Sequence, residues 1–517
     1  MKQAFYLGRL TACALLLLGA TSCEKALETE LQNRFGKGNP PRSNPNAPAA
    51  TTFYALAGGV RLDAYSTQRP ETVLSSVSIT GLQPAETILA IDFRPATGQL
   101  YGVGSTSRLY VINPQSGTAR AIGSGPFTPA LTGELAGFDF NPTVDRIRLV
   151  TDAGQNLRLN PETGTVAMVD GAINGAPGAM LAGAAYTNNV AGATTTTLYD
   201  IDVAAQMLYK QVPPNDGTLV PVGSLKLRIT GEGGFDISPA GDVALGMFEV
   251  NKKSTLFSID LATGDTRIIA KYDKDLMYTG LAIPTQPVAY AVGADNSLLI
   301  FNPQNPAANS VSKPISGLQP GEAILGIDFR PANGQLYALG STSRLYTLNA
   351  ASGAAAAVGT LSTPLSGTAF GFDFNPTVDR IRIVSNTGQN LRVNPANGAA
   401  LVDGPLNPGT PAVTAAAYTN NFAGTTSTAL FDIDSSTDKL YRQDPPNAGT
   451  LVEVGDLGLN VEAANGFDIG GTSNVPYALL TANGTTRLFR INTTTGAATP
   501  IGNFNGPANG LAVGLGF

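Results

Sequence analysis

Short runs of alternating apolar and polar residues recur along most of the chain, each bounded by Asn, Asp, Gly or Pro. One stretch shows the pattern. Gly137 to Phe140 is apolar and small, Asn141-Pro142-Thr143-Val144-Asp145 is turn-forming, and Arg146 to Thr151 alternates. Asp152-Ala153-Gly154-Gln155 breaks the run, Asn156 to Asn160 places Leu157 and Leu159 on one face, Pro161 to Gly164 breaks again, and Thr165 to Val169 follows. Period-two alternation punctuated this way predicts four short antiparallel strands.

The innermost of these strands recurs. LAIDF ends at Phe93, AGFDF at Phe140, AGAAY at Tyr186, GGFDI at Ile237 and TGLAI at Ile283. A second series ends at Phe329, Phe374, Tyr418, Ile469 and Val513. Successive ends lie 44 to 51 residues apart. Four strands at that period are the mark of a β-propeller, so the chain is predicted to be all-β. The glycines in these strands suit crowding at a propeller axis.

The series is also duplicated as a block. AIDFRPATGQLYGVGSTSRLY returns as GIDFRPANGQLYALGSTSRLY, and GFDFNPTVDRIRLV returns as GFDFNPTVDRIRIV. Residues 53–81 lack an inner strand of their own. If Thr279 to Ile283 supplies it, and Asn509 to Val513 serves residues 288–316, the chain forms two five-bladed propellers over 53–284 and 288–517. If the last residues close onto 53–81, it forms one ten-bladed ring. Block duplication points to the two-ring arrangement.

The N-terminus follows another pattern. Lys2 and Arg9 precede an apolar run from Leu10 to Ala20, too short to span a bilayer, which ends at Ala20-Thr21-Ser22-Cys23. This resembles a bacterial lipobox, although the usual leucine three places before the cysteine is missing. It predicts a signal peptide over 1–22 and lipidation of Cys23. Residues 23–52, with Glu24, Glu28 and Glu30 and then a Pro/Asn-rich stretch, read as a disordered tether. The expected location is the bacterial cell envelope, extracytoplasmic, on a membrane reached through the lipid.

The repeated strings IDFRPATGQLYGVG, GFDFNPTVDRIRLV, GQNLRLNP, YTNN, QVPPNDGTL and GFDI resemble a bacterial family of extracellular domains, domain of unknown function 4394, over two copies. Single-copy members imply that one unit stands alone. The family brings no established activity. The second copy departs from the first where FDIDSSTDKLYRQDPPNAGTL replaces YDIDVAAQMLYKQVPPNDGTL.

Composition removes several chemistries. With no histidine there is no Ser-His-Asp or Cys-His catalysis and no His-ligated metal. A net charge of −6 without a basic run argues against nucleic acid. No cofactor motif and no Ca²⁺ loop is recognised, so neither a cofactor nor a metal is expected, and no catalytic residue is assigned.

Asp92, Arg94, Asp139, Asp145, Arg146 and Arg148, with Asp328, Arg330, Asp373, Asp379, Arg380 and Arg382 in the second copy, are expected to pair as structural ions at blade turns. Asp200/Asp202 and Asp432/Asp434 are expected to end strands, and Asn188, Asn189, Asn420 and Asn421 to close turns. The candidate binding residues are Gln155, Asn156, Gln389 and Asn390, whose amides could meet a sugar or peptide at a propeller mouth.

The function expected is a non-enzymatic binding or display module with a glycan or protein ligand. The alternatives are a carboxylate- or cation-dependent hydrolase or lyase in a propeller mouth, and a structural surface or adhesion component. Of the two cysteines, Cys13 lies in the predicted signal peptide. The melting temperature of the processed protein should therefore not change with reductant; a clear drop would reveal a disulfide.

Overall fold

The computed structural model describes residues 48–517 apart from Lys274, Asn309 and Asn505. Among them are ten four-stranded antiparallel sheets and no α-helix. The blade read in detail above forms strands Ala136–Asn141, Arg146–Thr151, Asn156–Asn160 and Thr165–Val169, paired in chain order. Its first turn is closed locally. The Asn141 side-chain oxygen accepts the Thr143 N–H (3.0 Å), the Asp145 N–H donates to the Asn141 carbonyl (3.0 Å), and Asp145 adopts φ 52°. Asn and Asp tolerate these positions because their short side chains bond to nearby backbone.

Strand pairing selects between the two ring arrangements. Thr52–Ala57 lies between Arg61–Ser66 and Tyr278–Ala282, with Ala55 opposite Leu281. Ala289–Gly293 lies between Ser297–Phe301 and Ala508–Val513, with Ala291 opposite Leu511. Each half therefore takes its closing strand from its own C-terminal end, and the ten-bladed alternative does not form. The result is two tandem β-propeller halves of five sheets each.

The core lies between blades. An apolar cluster fills each junction of the first half, and the cluster between the second and third blades holds Tyr101, Phe138, Phe140, Leu149 and Leu157. The junctions of the second half repeat this. The first half's cyclic order includes the junction between its last and first blades, where Leu245 and Leu256 meet Phe53 and Tyr278. On the axis, all five inner strands of that half line one cavity of about 10 Å³. Such closeness demands glycine: a Cβ on Gly234 would stand 2.0 Å from the Leu281 nitrogen.

The halves touch. Arg94 donates to the Gly334 carbonyl (2.9 Å), the Tyr290 hydroxyl to the Ala96 carbonyl (2.9 Å), and the Gly516 N–H to the Thr97 carbonyl (2.8 Å). Ala96 joins the apolar cluster of Val288, Tyr290 and Leu515.

Because strand pairing is complete within each half, a 53–284 fragment is expected to be a monomeric β protein with cooperative unfolding. Deleting 509–517 from the full chain should leave the protease resistance of residues 53–284 intact. An obligately dimeric or aggregated fragment would show that the halves are one folding unit.

Candidate functional site

Three of the five inner strands in each half carry an aspartate just before their last apolar residue, and these carboxylates converge. In the first half, Asp92 accepts the N–H of Phe140 on the next blade (2.8 Å) and that of Phe93 on its own (2.7 Å). Asp139 accepts the Tyr186 N–H of the following blade (3.2 Å). Asp236 accepts the N–H of Ile283, just after the closing strand (2.6 Å), and of Ile237 (2.6 Å).

The second half repeats the set. Asp328 accepts from Phe374 (2.7 Å), Asp373 from Tyr418 (3.1 Å), and Asp468 from Val513 of its closing strand. Each aspartate thus ties its blade to the backbone of the next.

All six are buried. In each trio, one oxygen from each carboxylate lies within 4.8 Å of the others. Burial, and then the neighbouring Asp236, pushes Asp92 well up; burial, then Asp92 and Asp236, does the same to Asp139. Burial raises Asp236 and Asp468 to about 7. Three like charges at this separation are not all ionised in a dry interior without a counter-cation. The trio therefore either keeps protons or holds an oxygen-preferring cation, for which its donor chemistry is suitable. One oxygen each of Asp139, Asp328 and Asp373 has no hydrogen-bond partner, leaving it free for either purpose.

This corrects part of the expected ion pairing. Arg94 does pair with Asp145 (2.8 Å) and also with Glu162 (3.0 Å). Asp92 and Asp139, however, are not held by arginine. Arg148 is the cross-strand neighbour of Asp139, yet its guanidinium reaches outward to Asn156 (2.7 Å), Asp170 (2.7 Å) and Asn215 (2.8 Å). Arg382 makes the same bonds to Asn390, Asp403 and Asn447. Neighbours in sequence part here because the inner strand faces the axis while the next strand's long side chain follows the blade away from it. Asp236 and Asp468, absent from the expected set, complete the trios. Their signal was present, since GFDI places Asp where AIDF and GFDF do.

The candidate amides are engaged internally. Gln155 donates to the Ala130 carbonyl (2.9 Å) and accepts the Thr132 N–H (3.1 Å). Asn156 accepts from Arg148 and donates to the Gly171 (2.9 Å) and Pro214 (3.1 Å) carbonyls. Gln389 and Asn390 repeat these bonds in the second half. The structure thus places all four as braces of loops between blades. Asp202 does cap a turn, accepting the Ala204 N–H (2.8 Å). Asp200 and Asp432 are instead buried with both oxygens unpartnered, and burial raises each to about 8. Asn189 and Asn421 are likewise buried without side-chain partners. Cys23 lies outside the described residues.

The axial site gathers carboxylates of the kind an acid–base enzyme uses, and all six are buried. The axial cavity that the same inner strands line in each half, without an aspartate in its wall, measures about 10 Å³, close to the volume of one water.

The family profile of the domain of unknown function (DUF4394) matches residues 61–282 and again 297–512. No curated protein matches. A solved structure of PorZ, described as an essential bacterial surface component of the type-IX secretion system of Porphyromonas gingivalis, aligns at 12% identity. The alignment covers 89% of this chain and 58% of that one, with a TM-score of 0.27. A likeness at that level carries no argument about function.

The buried acids make a pH prediction. They titrate near about 3.9 in an unfolded chain but higher in the folded one, where the proton is retained. Their stabilising effect is complete below the unfolded value and is lost as pH rises through about 7 for Asp236 and Asp468 and about 8 for Asp200 and Asp432. Chelator-treated protein should therefore melt at a lower temperature at pH 8 than at pH 5. The loss for each group is up to about 1.4 kcal/mol per pH unit within the window. Asp200→Asn combined with Asp432→Asn should raise the melting temperature at pH 8 and do so by clearly less at pH 5. A melting temperature that climbs from pH 5 to pH 8 would show these acids to be ionised in the fold.

Proposed function

We propose, for a chain that belongs to the DUF4394 family through two tandem copies, that it is a lipid-anchored module of the bacterial cell envelope that binds or displays and carries out no catalysis. The observation that carries this reading is the state of the propeller axes. The carboxylates that could have served a hydrolase or lyase accept backbone N–H groups, next to cavities of about 10 Å³. General acid–base work needs a substrate atom within hydrogen-bond reach of the carboxyl, and the burial of all six argues against such access.

The sequence before the first blade supports the location. Lys2 and Arg9, the short apolar run and Cys23 suit an exported chain acylated at that cysteine, with the acidic, Pro/Asn-rich stretch as its tether. No helix among the described residues is long and apolar enough to cross a membrane, so a lipid is the anchor that fits. A glycan or a protein is the expected ligand class, and nucleic acid is not.

Fractionation of cells expressing the wild-type chain should find it in the membrane, cut before Cys23. Cys23→Ala should be unprocessed or released to the soluble fraction. If that variant is processed and retained in the membrane like the wild type, the lipid-anchor reading is wrong.

A further inference from the structure

The two halves meet along a cleft of about 150 Å³, walled by Leu100 and Val111 from the first half and Phe422 and Leu515 from the second. Two polar groups line it without protein partners. The Arg120 guanidinium makes no hydrogen bond or ion pair among the described residues. Gln99 also lines it: its side-chain oxygen is buried and unpartnered beside Gly334, and its amide nitrogen, which donates to no protein atom, is the group left for a ligand.

The duplication supplies an internal control. The second-copy counterpart of Gln99 is Gln335, whose amide donates to the Leu348 (2.8 Å) and Leu336 (3.2 Å) carbonyls of its own blade. The counterpart of Arg120 is Ala356: Arg120 pairs with Val111 across its sheet as Ala356 pairs with Thr347. The free guanidinium and free amide are therefore not requirements of the blade. They occur where the second blade of the first half lines the cleft, and not at the equivalent positions of the second half.

The charge balance is also uneven. In the first half Arg94 is sealed between two carboxylates, Asp145 and Glu162. In the second half Ala396 stands where Glu162 does, and Arg330 has Asp379 alone. That pair stays open, at 23% and 37% exposure against 0% and 2% for Arg94 and Asp145. Burial works against the Arg120 charge; Asp379 offsets this and Arg330 adds to it. Asp379 is paired with Arg330 and makes no ion pair with Arg120, so the Arg120 guanidinium has no carboxylate of its own.

We infer that the cleft between the two propeller halves is a binding site for a small organic carboxylate, with Arg120 pairing with the carboxylate and the Gln99 amide hydrogen-bonding beside it. The space suits a ligand of roughly ten heavy atoms, taking one for each water-sized volume. Leu100, Val111, Phe422 and Leu515 would cover its apolar part. Arg120 is exposed on its strand, and its planar guanidinium fork recognises a carboxylate more strongly than a neutral oxygen. This ligand class deepens the binding-module reading above and rests on it.

Two sources share this chemistry: an acidic sugar and an amino-acid or peptide C-terminus. Isothermal titration of the full chain with galacturonate and with N-acetylalaninate separates them. Galactose and N-acetylalaninamide serve as neutral counterparts. At least one carboxylate is expected to bind, with its neutral counterpart and Arg120→Ala each weaker by roughly tenfold or more. Because the second copy already carries alanine at the matching position, Arg120→Ala should keep the wild-type melting temperature. Arg120→Lys should recover part of the affinity. Binding of neither carboxylate, equal binding of a neutral counterpart, or undiminished affinity in Arg120→Ala would each overturn the inference. Membrane fractionation of the Cys23 variant reads the anchor alone, so failure of the cleft and failure of the anchored-module reading are told apart.

Discussion

The hydrogen bond from the backbone N–H at the end of one blade's inner strand to an aspartate on the blade before it is the constraint around which each half is organised. An inner strand has a sheet neighbour on one side only, and its other edge faces the crowded axis. An N–H left there without water or a partner is costly. A side chain must supply the acceptor, and aspartate is short enough to do so while its strand stays close to the next. Asp236 and Asp468 make this bond to Ile283 and Val513, at the strands that complete the first and sixth blades. The same chemistry that joins neighbouring blades therefore joins the last blade to the first.

This solution gathers acidic groups at the axis with no base beside them. In a dry interior the carboxyls lower their own energy by keeping protons or by taking up a cation. Their perturbed titration resembles that of a catalytic dyad, but its origin is architectural. Perturbed acids mark active sites where a substrate can reach them, and these six are buried against the backbone they hold. Arg148 and Arg382 show the opposite arrangement, in which a buried charge is surrounded by carboxylate and amide acceptors and braces two blades.

Duplication produced two nearly identical scaffolds that then met different surroundings. Arg94 lies against the second half and is fully buried, while Arg330 remains partly open. This difference lies where the halves touch, because a contact between non-equivalent surfaces places different demands on each copy. Gln99 and Gln335 are the same residue in the same repeat, yet one amide is bonded within its blade and the other has no protein partner where its residue lines the cleft.

Much of this molecule is legible from its residues in order. Alternation and turn chemistry are local properties, so the strands of the third blade and the turn at Asp145 follow from residues only a few places apart. The period of 44 to 51 residues, and the missing inner strand at residues 53–81, likewise require no coordinates. The folded chain alone decides which distant strand fills that gap, because Tyr278–Ala282 and Ala508–Val513 have similar sequences and would each pair acceptably with the first blade. It alone directs Arg148 away from Asp139, draws Asp236 in beside Asp92, and turns Gln155 and Asn156 into loop braces. Those outcomes depend on the directions that side chains take across blades more than 40 residues apart, and spacing along the chain carries no information about direction.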